Sequence, residues 1–441
     1  MADHSGHLLT PRERALRHLL SLQREDDSWE GEVVWCTMIL SQYVIVRRIT
    51  GRAFDDDERR DIIRHYQATR TSQGGWGLHA EDDAQVFTTA LAYVALRLIG
   101  LEPEAELTAA ARRWLHGQPG GVAAIPTWGK FWLALLDLYD WAGVNPCPPE
   151  LWLLPRALPF HPARYYCHTR YIYLAMASLY GRRFRADLGP LRAALRTELY
   201  GASYDSIDFG AHRHQVAARD LHVRPSAGLR RLYDVLALWE RARSSDVRRR
   251  ALDRCFERIL YEQRTTGYRA LSPVNGLLNC LAIFDRDPRH PDLAPSLDGL
   301  EAWKWEDDTE GVRYAGARSN AWDTAFALHA LLEAPDPAAR VTEVVHRACR
   351  FLRDTQMRSE LPRVREEDRD PALGGWCFSD GLHRWPVSDC TAEALAAILR
   401  AERTVKPPSP GADLLSPGCC LTCAGGFASE PFGGSPPPPP A

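Results

Sequence analysis

The sequence predicts an all-α protein built from repeated helical pairs, arranged as a solenoid or a closed α/α toroid. Three observations carry this. Apolar residues recur at helical spacing almost throughout, alternating strand patterns are scarce, and one helix-to-helix junction returns three times.

The elements follow in order. Thr10-Pro11-Arg12-Glu13 supplies a cap, a proline at the first helical position and an acid at the third. Leu16, Leu19, Leu20 and Leu22 then keep one face apolar up to an end near Gln23. The same rhythm predicts helices over 86–99, 131–140, 171–179, 229–239, 277–284, 323–332, 344–354 and 390–402. The recurring junction is a helix end, a polar or Gln-containing stretch, a Gly or Ser before Trp, and a new helix. It appears from Gln23 to Ser28-Trp29, in Gln73-Gly74-Gly75-Trp76, and from Gln356 to Gly374-Gly375-Trp376. One copy reads as a turn followed by a core aromatic; three copies at matching helix ends read as a repeat whose units bury each other's faces.

A chain of 441 residues is comfortable for two domains and buries a large core without help from disulfides or metals. Its 54 basic and 57 acidic residues leave a net charge of −3, which excludes bulk electrostatic binding of nucleic acid or a broad anionic-membrane patch. The 14 Trp, 15 Tyr and 13 Phe are unusually many and call for a role. Eleven cysteines, an odd number and mostly isolated, read as reduced thiols of an intracellular protein, and no secretory signal is visible. No apolar run reaches the ~18 residues of a spanning helix. The longest candidates, 33–46 and 171–180, read as core helices or as one face lying on a membrane.

Beyond about residue 404 the helical period stops. The 405–441 segment holds ten prolines, six glycines and three cysteines, a composition that predicts a disordered tail. Cys420 and Cys423 have the spacing of half a zinc site, but no second Cys or His pair lies nearby, and no metal is expected.

The chemistry concentrates at Trp385-Pro-Val-Ser-Asp389-Cys390-Thr391-Ala-Glu393, where Asp389 falls in the first turn of a helix. An acid there is ordinarily a cap or a dipole partner. Its company argues for more: Trp376 and Phe378 lie just upstream, and Trp322 to Phe326 opens another helix. Aromatic faces around a buried acid predict a carboxyl held protonated by desolvation, with π faces to hold a developing cation. One acid, many rings and no water are the requirements of carbocation chemistry.

Several runs sharpen this: Gly74 to His79, Ile125 to Trp132, Asn145 to Pro155, Pro159 to Pro162, Cys167-His168, Tyr180-Gly181, Glu198 to Tyr200, Pro273 to Asn275 and Ser388 to Glu393. With them the chain, from about residue 10 to 403, resembles the oxidosqualene cyclases of the terpene cyclase/mutase family, the lanosterol and cycloartenol synthases among them. The resemblance implies that Asp389 is the general acid that protonates the epoxide of (3S)-2,3-oxidosqualene, and that Cys390 hydrogen-bonds it. Squalene-hopene cyclases carry a further Asp where Cys390 stands, which favours the epoxide substrate. Trp322 and Phe378 match aromatics near the early ring cations; Trp128, Tyr166, His168 and Tyr173 match positions near the later rings. Tyr166 stands where animal enzymes have Trp. Taken singly, Trp128 and Tyr173 read as core packing.

Product identity is weakly encoded. His383 is the residue type of cycloartenol synthases and Val387 that of lanosterol synthases, while Gly316 is neither the Tyr of one group nor the Thr of the other. The resemblance further implies two α/α barrels. Residues 31–300 form an inserted barrel, and 1–30 with 301–403 form part of a catalytic barrel whose remaining half is expected to be missing, the chain being truncated. With that half missing the acid is expected to be wet and turnover by this chain poor or nil, so the cyclase reading competes with an inactive fragment that binds at most lipid or a partner. An α/α-toroid glycosidase or prenyltransferase lacks its paired carboxylates or zinc ligands here. The resemblance implies no cofactor, and attachment to one leaflet of an intracellular membrane or lipid droplet.

Overall fold

The computed structural model describes residues 9–79, 81–333 and 339–405; the predicted tail, with Cys420 and Cys423, lies outside them. The described chain is mostly helical, with one two-stranded antiparallel hairpin, β1 (Lys304–Asp307) and β2 (Gly311–Tyr314). It divides into two compact units, one of residues 1–31 with 318–441, the other Glu32–Ala317.

The first unit holds α1 (Pro11–Ser21). Thr10 and Glu13 form a reciprocal capping box there, and Pro11 takes the first helical position. The larger unit holds α2 (Met38–Ile49), α3 (Asp56–Ala68), α4 (Val86–Leu98), α5 (Glu106–His116), α6 (Thr127–Leu135), α7 (Cys167–Arg182), α8 (Pro190–Tyr200), α9 (Ala227–Ala242), α10 (Ser245–Thr265), α11 (Pro273–Arg286) and α12 (Leu293–Gly299). The first unit resumes with α13 (Asn320–Leu332), α14 (Ala339–Thr355) and α15 (Ser388–Thr404).

Helix α4 is buried from Val86 to Arg97 and packs on α2, α5 and α6, while α7 packs on α10 and α11. Its N-terminus is closed from a distance: Asp220 accepts from the Val86 and Phe87 N–H groups at 3.0 and 2.9 Å. Lys130 is fully buried, and its Nζ donates to the carbonyls of His212, Arg213 and Gln215 at 2.6, 3.1 and 2.8 Å. Burial lowers that ammonium to about 8. The smaller unit's main core cluster comes from α13, α14 and α15, with Trp29, Trp376 and leucines of α1 packed into it, and Met357, Ala372 and Cys377 form a second, smaller one.

The Trp repeat has one geometry in all three copies. Each indole N–H donates to a carbonyl in the last turns of the helix before it: Trp29 to Leu19 at 2.8 Å, Trp76 to Tyr66 at 3.0 Å, Trp376 to Leu352 at 2.6 Å. Each Trp backbone N–H donates to a threonine hydroxyl near the start of a helix: Trp29 to Thr324 of the sequence-distant α13 at 3.0 Å, and Trp76 and Trp376 to Thr89 and Thr391 of the helix that follows, both at 2.9 Å. The residue thus satisfies a helix-end acceptor on one side and anchors a helix start on the other.

Candidate active site

The sites expected from sequence fall in both units, and each unit is taken by itself. In the smaller one, Asp323 fixes the start of α13: its Oδ2 accepts from Ser319 Oγ at 2.6 Å and from the Gly31 N–H at 2.7 Å. That anchorage sets Trp322, half-buried, against Phe326 at 5.0 Å and Phe378 at 5.6 Å between ring centroids. The Trp322 N–H reaches the Phe378 carbonyl at 3.4 Å. Phe378 is held in turn by a bridge between Cys377 and Pro386, and by the Val387 N–H on the Trp376 carbonyl at 3.0 Å.

Helices α13 and α15 run in the same direction. His329 Nε2 lies 3.3 Å from Glu393, and Glu333, one turn further along α13, pairs with Arg400, further along α15. Their N-termini therefore share one end, which carries Trp322, Phe326 and Asp389. Of the expected residues, the structure brings Trp322 and Phe378 into contact, and Asp389 stands at the same helix end.

One expectation is corrected. Asp389 does stand in the first turn of α15, but it is exposed, not buried among rings. The reason is helical phase. The buried stripe of α15 is Cys390, Ala394, Ala397, Ile398 and Ala401, and Asp389 falls on the adjacent row with Ala396 and the half-exposed Glu393 and Arg400. Cys390 is buried at 1 % exposure, and burial first, then the Asp389 carboxylate and Cys377, push its thiol upward. Cys377 is a second buried thiol at this end, pushed up to about 12 by burial. It was not singled out from sequence, although it adjoins Phe378. His383 is buried in the loop before α15, its Nδ1 accepting from the Trp385 N–H at 3.1 Å, and Val387 is the N-cap of that helix.

In the larger unit the expected residues separate into three neighbourhoods. Trp128 lies half-buried on α6, 6.2 Å from Phe131 and nearly parallel to it. With its amide turned so that the oxygen faces them, Gln42 accepts from Trp128 Nε1 at 2.8 Å and Trp132 Nε1 at 3.2 Å. At the start of α7, Tyr166 is 68 % exposed and stacks on His168, centroids 5.2 Å apart. His168 Nδ1 lies 3.3 Å from Cys167 Sγ, and burial lowers this imidazole, favouring its neutral form. Further along α7, Tyr173 donates its hydroxyl to the Pro148 carbonyl at 2.8 Å, and burial holds the phenol well above its ordinary value. Gly316 faces Trp35: a Cβ there would lie 2.2 Å from the indole. The space that a side chain at 316 would take is filled from another segment.

Comparison with known proteins bears on both units. Residues 13–309 match the family described as the squalene-hopene cyclase N-terminal domain. Cycloartenol synthase of Dictyostelium discoideum is 34 % identical over 90 % of this chain and 56 % of its own length. Human lanosterol synthase is 37 % identical over 86 % of the chain and 52 % of its own length. Protostadienol synthase A of Aspergillus fumigatus is 34 % identical over 88 % and 53 %. The chain spans about half the length of the curated relatives it matches.

Proposed function

The chain belongs to the squalene-hopene and oxidosqualene cyclase family, and from that premise we propose that it carries the acid end of a cyclase acting on (3S)-2,3-oxidosqualene. The observation that carries this reading is the contact of Trp322 with Phe326 and Phe378 at the helix end that presents Asp389.

Asp389 protonates the epoxide oxygen, the C–O bond opens, and the nearest alkene attacks the tertiary centre to begin the ring cascade. A lipid lying over the exposed carboxyl displaces water from it, so that the opening epoxide meets the acid and not solvent. Trp322 and Phe378 hold early cations by their π faces. Trp128, Tyr166, His168 and Tyr173 serve the later ones, with neutral His168 able to accept the final proton. The expected hydrogen bond from Cys390 to the acid is not formed, because the thiol is turned into the core while Asp389 points outward; that a Cys and not a second Asp stands beside Asp389 favours an epoxide over a bare alkene. His383, Val387 and Gly316 shape the product, a tetracyclic sterol precursor of lanosterol or cycloartenol type. The architecture that goes with this chemistry is an α/α barrel over 31–300 inserted into a second to which 1–30 and 301–403 contribute.

The substrate is nearly insoluble in water, so the protein is inferred to sit on one leaflet of a membrane or lipid droplet. Helix α9 supports this. It has no buried residue, and Leu229, Leu232, Val235, Leu238 and Trp239 are all exposed along it. Among the described residues no helix is long and apolar enough to cross a membrane.

The test is to incubate the protein with 2,3-oxidosqualene and, separately, with squalene, and analyse the products by gas chromatography and mass spectrometry. Cyclised alcohol from the epoxide and nothing from the alkene is expected. Equal conversion of both, or of neither, overturns the assignment.

A further inference from the structure

On the larger unit, away from every residue discussed above for catalysis, a cavity of about 360 Å³ opens between the C-terminal end of α9 and the 141–146 and 180–185 segments. Its apolar walls include Trp141 and Tyr180, and four arginines line it: Arg183, Arg185, Arg213 and Arg241. The one acid in the lining, Glu240, is already shared by Arg183, Arg243 and Arg248 at 3.2, 3.4 and 2.6 Å.

The arginines are positioned by different means. Arg183 lies over the Tyr180 ring, 3.8 Å from its centroid, and donates to the Tyr180 hydroxyl at 2.9 Å. Arg185 is held by Asp137 and Asp140 at 2.5 and 3.3 Å. Arg213 donates twice to the Ala142 carbonyl, at 3.1 and 2.8 Å. Arg241 is exposed and has no partner among the described residues. Two further donors of lining residues, Arg183 Nη1 and Trp141 Nε1, are buried and unpaired. Trp141 itself is only 4 % exposed. Buried donors without acceptors are costly, and with Arg185 already paired and Glu240 shared among three arginines, the unpartnered Arg241 and the two unpaired buried donors leave the cavity suited to an anion.

We propose that this cavity binds a phosphate-type anion, presented by an acidic phospholipid headgroup when α9 rests on a bilayer. Guanidinium forks match phosphate oxygens bidentately, and the aromatic walls suit the glycerol and first acyl carbons behind the phosphate. Arg241 lies at the border between the polar side of α9 and its exposed apolar row, beside Leu238, where a headgroup would meet it. The inference rests on the membrane reading given above only for the source of the phosphate.

The experiment is flotation of the full chain with phosphatidylcholine vesicles, alone or containing phosphatidic acid, together with a titration of inorganic phosphate followed by tryptophan fluorescence. The variants are Arg241→Gln and, as a control of equal charge on the same helix, Arg230→Gln. Expected is a preference for the acidic vesicles on the order of tenfold, kept by Arg230→Gln, lost by Arg241→Gln and reduced by added phosphate. Binding to neutral vesicles by all three proteins, with no acidic preference and no phosphate response, overturns the inference and leaves the membrane reading standing. Failure to bind any vesicle, with a phosphate response that Arg241→Gln abolishes, removes the membrane reading and assigns the cavity to free phosphate. Equal losses in the two variants reduce the effect to surface charge and overturn it.

Discussion

Asp389 and Cys390, neighbours at the start of α15, face opposite environments: the carboxyl is exposed and the thiol is buried at 1 % exposure. The helix places its catalytic candidate outward while locking the next residue into the core of the smaller unit. Rigid backing of an exposed acid is what a site needs if water is to be displaced by substrate and not by the fold.

That burial has a chemical consequence. The Cys390 thiol is pushed upward by burial and by the neighbouring Asp389, and Cys377 is pushed up to about 12. Both should therefore resist iodoacetamide at pH 8 in the native protein and react only on unfolding. Mass spectrometry of peptides alkylated before and after denaturation checks this; rapid native labelling of Cys390 would refute its placement.

The Trp junctions predict a cost shared by two units. Thr89→Val and Thr391→Val each remove the acceptor of a buried Trp backbone N–H, in Trp76 and Trp376 respectively. Each should lower stability by about 1–3 kcal/mol, the price of a buried donor left unpaired. Denaturant midpoints of the two variants against the parent measure it, and an unchanged midpoint in either contradicts the account.

His65 predicts a pH dependence. It is 2 % exposed, and burial first, then the Arg313 charge, lower it to about 4. Folded His65 is thus neutral where the unfolded chain, near its ordinary value of about 6.5, begins to bind a proton. Its contribution is full above pH 6.5 and is lost as the pH falls toward 4, by on the order of 3 kcal/mol in all. Thermal melts between pH 7 and 4 should show a shallower decline in His65→Gln than in the parent.

Gly316 and Trp35 predict a coupling. Gly316→Ala places a methyl 2.2 Å from the Trp35 ring and should destabilise by about 1–3 kcal/mol. Trp35→Leu should relieve most of that penalty, read as a non-additive double-mutant cycle. Additive effects would show that the indole moves aside freely.

The helical pattern was legible because most helices carry one apolar face, and the ranges read for α4 and α13 differ from the observed ones by a few residues at most. Helix α10 is not legible in the sequence because its buried side includes Arg248 and Glu262, polar groups partnered from other segments, together with Arg258 and Gln263. Segments α3, α5 and α8 carry too few apolar residues for a clear stripe, and the four-residue strands of the hairpin are too short to alternate visibly. The 33–46 run reads as a core helix or a face lying on a membrane, but α2 begins only at Met38, and Trp35 before it packs over Gly316. At the candidate site, the contact between Trp322 and Phe378 grew out of motif company. The exposure of Asp389 runs against the burial that its aromatic company suggests but agrees with the wet acid expected of a half barrel, and the spacing of Cys390, Ala394, Ala397 and Ala401 already places it off the apolar row. The exposed row along α9 was present in the spacing of its leucines, but amphipathicity alone does not tell a covered face from a bare one.

The central claim is that Asp389 donates the proton that starts the reaction. The direct measurement is single-turnover conversion of 2,3-oxidosqualene by the parent protein and by Asp389→Asn, with circular dichroism to show that both fold alike. The account predicts a loss of about 10³-fold or more in rate in the variant, with its fold unchanged. Conversion by Asp389→Asn at the parent's rate would contradict it.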